Sequence, residues 1–241
     1  MRFPSPSQIC AYRPEKNIAA IAALFLTLLS LSAGVGNAEV MKMDNSPAGT
    51  VINLPAPGHK GKMSLEEALK RRESVRSFTS QPLTEKELSQ LLWAAQGVTR
   101  QWGARTAPSA GALYPLETYV VVKEGVFQYS PQHHRLIRIL KDDLRAGLAE
   151  AALGQTCIRE APSVFVITAV YERTAGKYGT RAERYVKMEA GHEAQNILLQ
   201  AAALSLGSVP VGAFRDDQVK KILNLPASHE PLYLIPVGHR K

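Results

Sequence analysis

The stretch from Glu189 to Phe214 constrains the fold more than any other part of the chain. Apolar side chains recur there at helical spacing: Ala190, Ala194, Ile197, Leu198, Ala201, Ala202 and Leu204, with Leu199 and Leu206 on a second face. A helix that is apolar on most sides is buried in a core. We therefore predict a long buried helix that ends at Gly207 and carries three polar side chains, His192, Gln195 and Asn196.

A turn of small residues follows this predicted helix: Pro210, Val211, Gly212 and Ala213, ahead of Phe214. Small side chains leave backbone amides uncovered, because nothing shields the main chain from a ligand. Exposed amides beside a buried helix suit a flat aromatic ligand with hydrogen-bonding edges. A core helix followed by a tight turn is the other interpretation.

The first 38 residues have the pattern of a secretory signal peptide. Three basic residues precede an apolar run over residues 18–31, and small residues stand at −3 and −1 of a cleavage site before Glu39. The run is shorter than the roughly 20 residues that a membrane span needs. We expect cleavage, export to the periplasm or outside the cell, and no stable membrane span afterwards. An uncleaved membrane anchor is the alternative.

Length, charge and cysteine content limit the number of domains, the partners and the disulfides that the protein can have. The 241 residues, 45% of them hydrophobic, suffice for one sizeable domain. Removing residues 1–38, which hold three basic and one acidic residue, lowers the net charge from +8 to +6. The basic residues are scattered, so no nucleic-acid partner is expected. Cys157 then has no second cysteine to pair with, and we expect a buried, unreactive thiol.

Residues 39–62 are rich in Pro and Gly, and their apolar residues show no helical or strand periodicity. This segment predicts an extended arm ahead of a domain over residues 63–241. Capping-box patterns at Ser64 and Thr84 begin two helices, the second of which ends at Gly97. Further patterns predict strands at 118–123, 126–129, 136–140, 163–170 and 233–237, helices at 143–153 and 216–223, and an irregular loop at 107–115.

This order of elements predicts an α+β fold with antiparallel hairpins instead of regular βαβ units. The sequence contains no GxGxxG, Walker, HExxH or CxxC motif. Nicotinamide-binding Rossmann domains, P-loop NTPases and zinc proteases therefore lack support, and no metal site is expected.

A cluster of basic residues follows the first predicted helix. Arg72, Ser74 and Arg76 gather guanidinium groups and a hydroxyl that can hold a phosphate. The return to apolar sequence at Val75 and Phe78 draws the cluster toward a packed region. A solvated charged face is the alternative interpretation.

Several motifs occur in a fixed order along the chain: RRESVRSF, APSAGALYPLE, GVFQYSPQHHRL, EAGHEAQNILLQAAALSLG, VPVGAF and LYLIPVGH. With them, the chain resembles the flavin-dependent nitroreductase superfamily over about residues 64–241. Within that superfamily it is most similar to the SagB/ThcOx-type dehydrogenases, some of which oxidise azoline rings in peptides to azoles. The resemblance implies a central, mostly antiparallel sheet flanked by helices, a long buried core helix, and a homodimer with FMN at its interface.

The resemblance also implies FMN-binding positions. Arg72, Ser74 and Arg76 match the pattern that grips the FMN phosphate and ribityl chain. The loop contributed near the flavin by the partner subunit matches Pro108, Ser109, Ala110 and Gly111. The turn whose backbone amide faces flavin N5 matches Pro210, Val211, Gly212 and Ala213. Basic residues after the last strand often complete the phosphate site, and the candidates here are His239 and Arg240.

The azole-forming relatives use a catalytic Lys-Tyr pair, which corresponds to Lys177 and Tyr178. In a dehydrogenase, one of them removes a proton while hydride passes to flavin N5. An exposed Lys, however, titrates too high to act as a base. His192 is a further candidate to face the flavin, or a core histidine, and Tyr114 either covers the ring or packs.

The sequence thus predicts an FMN-dependent oxidoreductase acting on a small-molecule or peptide substrate. The alternative is a catalytically idle relative that binds flavin or another ligand.

Overall fold

The computed structural model describes residues 47–241. The predicted signal peptide, residues 1–38, and the first part of the predicted arm lie outside the described residues. Among residues 47–241, no helix has the length and apolar character to cross a membrane.

Seven strands form a single sheet in the described part of the chain, in the order β1-β4-β3-β2-β5-β7-β6. Every neighbouring pair in this order is antiparallel. The strands are β1 (Val51–Asn53), β2 (Leu116–Val122), β3 (Gly125–Ser130), β4 (Arg135–Leu140), β5 (Ser163–Ala169), β6 (Leu206–Ser208) and β7 (Glu230–His239). The five strands predicted from the sequence are all present in this sheet, within a few residues of the predicted ends.

Seven helices are present in the described residues, and together they cover both faces of the sheet. They are α1 (Leu65–Arg71), α2 (Glu85–Gln96), α3 (Arg145–Ala151), α4 (Thr156–Glu160), α5 (Glu172–Tyr178), α6 (Ala182–Ala203) and α7 (Asp216–Ile222). A short 3₁₀ turn, Ala110–Ala112, lies within the predicted irregular loop. The α+β fold with a central antiparallel sheet is confirmed.

Successive side chains of the central strands point to opposite faces of the sheet, and each face has its own hydrophobic core. On β2, Val120 packs in a cluster with α2 and α6, whereas its neighbour Val121 packs in a second cluster with α3, α4 and α7. Every residue of β5 is buried. Because helices cover both faces of this strand, its sequence is apolar except for the buried Ser163 and Thr168 and lacks the polar alternation of a strand with one wet face.

Hydrogen bonds at the predicted capping boxes fix where the first two helices begin. At α2 the box is complete: Glu87 N–H donates to Thr84 Oγ1 over 3.2 Å, and Thr84 N–H donates to Glu87 Oε2 over 2.7 Å. At α1, Ser64 Oγ accepts from Glu67 N–H over 3.1 Å. The Glu67 carboxylate is instead in an ion pair with Arg71. Only half of the predicted Ser64 box is therefore present.

The predicted arm contributes an edge strand to the sheet. Three residues of β1 pair with β4, with Ile52 opposite Leu136. Leu54 is buried in the α2–α6 cluster, and Pro55 O accepts from Ser89 Oγ over 2.6 Å. A three-residue strand is too short to leave a period in the sequence, so this docked part of the arm was not predicted.

Helix α6 ends earlier than predicted. It stops at Ala203, and Ser205 turns the chain at φ 60° into β6, where Gly207 pairs with Gly238. The prediction that Gly207 terminates the helix was therefore wrong. A Cβ on Gly207 would lie 2.6 Å from Val75 Cγ1 and 3.3 Å from Arg240 Cγ, so this position requires glycine because of close packing.

Replacement of Gly207 by Ala should therefore destabilise the protein by about 1–3 kcal/mol, the usual cost of overpacking. The measurement is the free energy of unfolding in urea. Adding Val75→Gly, which removes both nearest atoms, should recover part of the loss. Gly176→Ala in α5, where a Cβ meets nothing within 4 Å, is the matched control and should gain up to about 1 kcal/mol. Equal effects at the two glycines would contradict this account of Gly207.

Candidate functional site

The segment from Arg72 to Phe78 lies along one edge of the sheet. Ser74 forms a parallel bridge with Ser208 of β6, and Val75 N–H donates to Ser208 O over 3.0 Å. Further along, Thr79 N–H donates to His239 O over 2.9 Å. The predicted phosphate-binding segment is thereby brought next to the ends of β6 and β7, although these elements are far apart in sequence.

Two guanidinium groups in this segment are available for an anion. Within residues 47–241, neither Arg72 nor Arg76 is in an ion pair with a carboxylate. Ser74 and Arg76 are exposed, and Arg72 is half-buried at the C-terminal cap of α1. An unpaired pair of cations flanking a hydroxyl has the donors that a phosphate monoester requires.

His239 and Arg240 reach the same edge but point in opposite directions, as consecutive strand residues do. Arg240 Nη1 lies 2.6 Å from Glu73 Oε1, so this guanidinium already has a carboxylate partner. His239 Nε2 is buried without a hydrogen bond and lies 3.8 Å from Glu87 Oε2. Both residues are close to the Arg72–Phe78 segment, but their side chains are less available for a phosphate than Arg72 and Arg76.

The turn after β6 presents uncovered backbone amides. Val211 is bonded to Leu234 of β7 in both directions, at 2.8 and 2.9 Å. Gly212 and Ala213 are exposed, and within the described residues their N–H groups donate to no protein acceptor. Gln155 Nε2 donates to Ala213 O over 3.0 Å and holds the turn in place. Two N–H groups without a protein acceptor can stabilise negative charge on a ligand.

A second group of predicted site residues gathers at the loop before β2. Gly111 has φ 63°, and a Cβ there would lie 2.9 Å from Tyr178 Oη and 3.0 Å from Lys177 Nζ. The Pro108–Gly111 loop and the Lys177–Tyr178 pair are therefore in contact. Lys177 is exposed and Tyr178 is half-buried, with its ring edge-on to Tyr185 at 5.1 Å between centroids.

The two groups are separate within one chain. In the described residues, no hydrogen bond or ion pair joins the Arg72–Phe78 edge or the Gly212–Ala213 turn to the Pro108–Gly111 loop. Tyr114 does not reach the turn either, since its ring stacks under the Arg105 guanidinium at 4.4 Å and its hydroxyl accepts from Arg105 N–H over 3.2 Å. The two groups of predicted site residues are therefore not joined by hydrogen bonds or ion pairs within the described part of the chain.

The buried polar residues of α6 differ from those predicted. His192 and Gln195 are exposed and Asn196 is half-buried, whereas Glu189 and Glu193 are 3% and 0% exposed. The prediction that the first three lie in the core was wrong for His192 and Gln195. The signal was present, because both glutamates share the helical stripe of the apolar residues Val186, Ala190, Ala194 and Ile197.

Hydrogen bonds from two elements satisfy Glu193. Its carboxyl accepts from Gln96 Nε2 of α2 over 2.7 Å and from Thr118 Oγ1 of β2 over 2.6 Å. Gln96 Oε1 in turn accepts from Arg105 Nη1 over 3.2 Å. Burial lowers the pKa of Arg105, with the nearby Glu117 as the strongest opposing charge. These contacts link α6, α2, β2 and the loop that leads to Gly111.

Burial raises the pKa of Glu189 and of Glu193 to about 7 in each case. Hydrogen bonds from Ser109 and Ala110 oppose this rise at Glu189, and those from Thr118 and Gln96 oppose it at Glu193. The folded protein thus binds protons near pH 6 that an unfolded chain, with glutamate pKa values of 4.5, has already released.

The folded-state pKa values lie above the unfolded ones, so the stability from these carboxyls is fully present below about pH 4.5 and is lost as pH rises through 7. One such shift corresponds to about 3 kcal/mol. We expect the free energy of urea unfolding to fall between pH 5 and 8, and Glu193→Gln to flatten this slope. Glu183→Gln, on the exposed face of α6, should leave the slope unchanged. An equally steep slope in Glu193→Gln would contradict the assignment.

Comparison with known proteins shows which family shares this sequence and fold. The sequence model of the nitroreductase family matches residues 69–239. A protein of Methanocaldococcus jannaschii that bears the name nitroreductase is 50% identical over 184 residues, which cover 74% of this chain and 92% of the relative. A crystal structure described as a nitroreductase of Ralstonia eutropha superposes with a TM-score of 0.74 at 33% identity, covering 84% of this chain and 92% of the other.

Two more distant relatives carry more specific names. The trifolitoxin-processing protein TfxB of Rhizobium leguminosarum is 32% identical over 148 residues, which cover 56% of this chain and 39% of TfxB. The NAD(P)H-dependent FMN reductase of Bacillus subtilis is 24% identical over 189 residues, covering 72% of this chain and 64% of the reductase. With the family pattern matched over residues 69–239, the chain belongs to the nitroreductase family.

Proposed function

We propose that the protein is an FMN-dependent oxidoreductase that transfers hydride between a substrate and flavin N5. The observation that carries this proposal is one sheet edge that combines unpaired cations with uncovered amides. Arg72 and Arg76 offer free guanidinium groups, and Gly212 and Ala213 offer free N–H groups directly after β6. A phosphate ester attached to a ring that gains negative charge on reduction requires this combination. The FMN reductase among the relatives supports the same cofactor.

The residues at this edge have distinct roles in the proposal. Arg72, Ser74 and Arg76 would hold the phosphate and ribityl chain, and the Pro210–Ala213 turn would direct N–H groups at the ring. Bound FMN supplies the redox chemistry by accepting or donating hydride. The amides of Gly212 and Ala213 stabilise negative charge at the ring edge without rearrangement, since Val211 and Ala213 are already fixed by hydrogen bonds.

A homodimer would bring together the two parts of the site that do not meet in one chain. In this arrangement the Pro108–Gly111 loop and Lys177–Tyr178 of one subunit cover the FMN held at the sheet edge of its partner. Exposed apolar side chains on α1 support an interface, since Leu65 is 61% and Leu69 52% exposed. They lie beside a groove of about 780 Å³ between the arm, α1, α2 and α6.

Within the family we propose a SagB-type dehydrogenase. Its support is the contact of Lys177 and Tyr178 with Gly111 and the similarity to TfxB, a processing protein by name. Tyr178 is half-buried and can donate or accept a proton at its hydroxyl. Lys177 is exposed, and it becomes a useful base only when a partner subunit or substrate removes it from water. The substrate class that fits is a small molecule or a peptide ring.

We also propose that the protein is exported, on the strength of the signal-peptide pattern in residues 1–38. General export moves unfolded chains, so FMN would then bind after translocation. A donor other than a nicotinamide, or oxygen as the acceptor, would suit that compartment.

FMN binding tests the cofactor site. Titration of the purified protein with FMN, followed by absorbance and fluorescence, should saturate at one FMN per subunit. Arg72→Ala and Arg76→Ala should each weaken binding by about 10–100-fold, because each removes charged hydrogen bonds to the phosphate. Arg71→Ala is the matched control, since Arg71 already pairs with Glu67, and it should bind FMN like the wild type. A protein that is colourless after incubation with excess FMN and removal of the unbound flavin would refute the proposal.

Two activities separate the catalytic roles. Reduction of a quinone by the reduced flavin needs no dedicated base, so Lys177→Met and Tyr178→Phe should leave its rate within about twofold of the wild type. Oxidation of an azoline-containing peptide needs proton removal, and the same variants should slow it by about 10²–10⁴-fold. Quinone reduction without azoline oxidation would exclude the SagB-type activity. Bound flavin with neither activity, tested with several donors, would favour the idle, ligand-binding alternative.

A further inference from the structure

Helix α5, which carries Lys177 and Tyr178, is too short to be stable by itself. It spans seven residues, its first turn has no side-chain cap, and Gly176 lies in its interior. Helices shorter than about 12 residues are marginal in water, and an interior glycine weakens them further. Thr174 is the buried side chain of this helix. The position of the Lys-Tyr pair must therefore be set by bonds from α5 to other elements.

Arg173, one helical turn before Lys177, makes two such bonds. Its Nη1 donates to Tyr114 O over 3.1 Å, and its Nη2 donates to Glu117 Oε1 of β2 over 2.5 Å. A planar guanidinium holds its donors in fixed directions and can serve both acceptors at once. One side chain thus joins α5 both to the loop that precedes β2 and to the sheet.

Glu117 is held in place independently of Arg173. Its side chain is 16% exposed, and its Oε2 accepts from Gln128 Nε2 of β3 over 2.9 Å. Its main chain pairs with Thr168 of β5. An exposed ion pair usually contributes little, because both side chains lose freedom when they meet. Arg173 is 41% exposed, but its partner is already ordered, so much of that cost is absent here.

Tyr114 connects Arg173 to the Pro108–Gly111 loop. Its backbone is left-handed at φ 47°, its N–H donates to Ser109 Oγ over 2.9 Å, and its hydroxyl accepts from Arg105 N–H over 3.2 Å. The carbonyl of the same residue is the acceptor for Arg173. The residue that closes the loop is therefore also the residue to which α5 is bonded.

The result of this connection is seen at Gly111. A Cβ there would lie 2.9 Å from Tyr178 Oη and 3.0 Å from Lys177 Nζ, so the two functional atoms converge on one point of the loop. Within residues 47–241, neither atom forms a hydrogen bond with the loop. Their approach is a packing contact, and its distance depends on where α5 is held.

We propose that Arg173 is a positioning residue: its two bonds hold α5 in register with the Pro108–Gly111 loop and so place the Lys-Tyr pair in the site. The effect on catalysis rests on the function proposed above. The placement of α5 does not, because every contact involved lies within one chain.

Hydrogen exchange read by mass spectrometry on the purified full chain, without flavin, tests the placement. Arg173→Met removes every donor and keeps the length of the side chain, so peptides covering residues 172–180 should exchange about tenfold faster. Arg173→Lys should show a smaller effect, because an ammonium keeps the charge near Glu117 without the fixed fork. Adding Glu117→Gln to Arg173→Met should cause no further acceleration, since both changes remove the same bond.

The matched control is Arg159→Met, which breaks an exposed ion pair between Arg159 of α4 and Glu150 of α3. Residues 172–180 should exchange in this variant as they do in the wild type. Wild-type exchange of these residues in Arg173→Met would overturn the inference, and so would equal acceleration in Arg159→Met.

Flavin-loaded enzyme tests the effect on catalysis. Arg173→Met should lower kcat for azoline oxidation by about 10–100-fold, because the pair that removes the proton is misplaced. KM for the azoline and the rate of quinone reduction should each stay within about twofold of the wild type. Arg173→Lys should recover part of kcat.

Equal losses of azoline oxidation and quinone reduction in Arg173→Met would show a general loss of structure and overturn the positioning role. The exchange measurement needs neither flavin nor substrate. A wild-type protein that binds no FMN, or that oxidises no azoline, therefore overturns the proposed function and leaves the placement of α5 to be decided by exchange.

Discussion

The packing of α6 against one face of the sheet is the interaction on which the rest of the structure depends. Its stripe of small and branched residues meets α2 on one side and the central strands on the other. Close contact of this kind expels water, so any polar group on the stripe must find its partners within the protein. Glu193 does so fully, whereas Oε1 of Glu189 is buried without a hydrogen-bond partner. The same burial that stabilises the core thus creates a pair of carboxyls that titrate near neutral pH.

The residues proposed to bind the cofactor lie where strands end. The Arg72–Phe78 segment, the end of β7 and the turn after β6 meet at one sheet edge, held by main-chain hydrogen bonds that do not depend on side-chain identity. This leaves Arg72, Arg76 and the amides of Gly212 and Ala213 free to act on a ligand. Gly207 makes the arrangement possible, because any side chain there would push Val75 and Arg240 away from the edge.

Much of the fold could be predicted because its signals are local. The Thr84 capping box, the glycine after α2 and the apolar run of β5 each specify an element from a few neighbouring residues. Features that depend on distant contacts could not be predicted. The strand β1 exists because β4 provides a partner, and Gly207 reflects the space left by Val75 rather than the end of a helix.

The candidate site likewise contains residues that the sequence motifs predicted and residues that they did not. The motifs indicated that Arg72, Arg76 and the Pro210–Ala213 turn are binding elements, and the structure brings them to one edge. For α6 we predicted His192 as a candidate site residue and did not predict Glu189 or Glu193, because glutamates on a helix usually face water. Helical phase alone would have assigned both glutamates to the buried stripe.

The sheet order carries a consequence for how the chain folds. Strands β2, β3 and β4 are consecutive hairpin neighbours and can pair through short-range contacts alone. The strand β7, by contrast, lies between β5 and β6, although it follows both in the chain. Until β7 joins the sheet, β6 has no antiparallel partner and one flank of β5 is open. Closure of the sheet by β7 therefore depends on long-range pairing and is expected to come late in folding. The sheet edge proposed to bind an anion is formed in that same step.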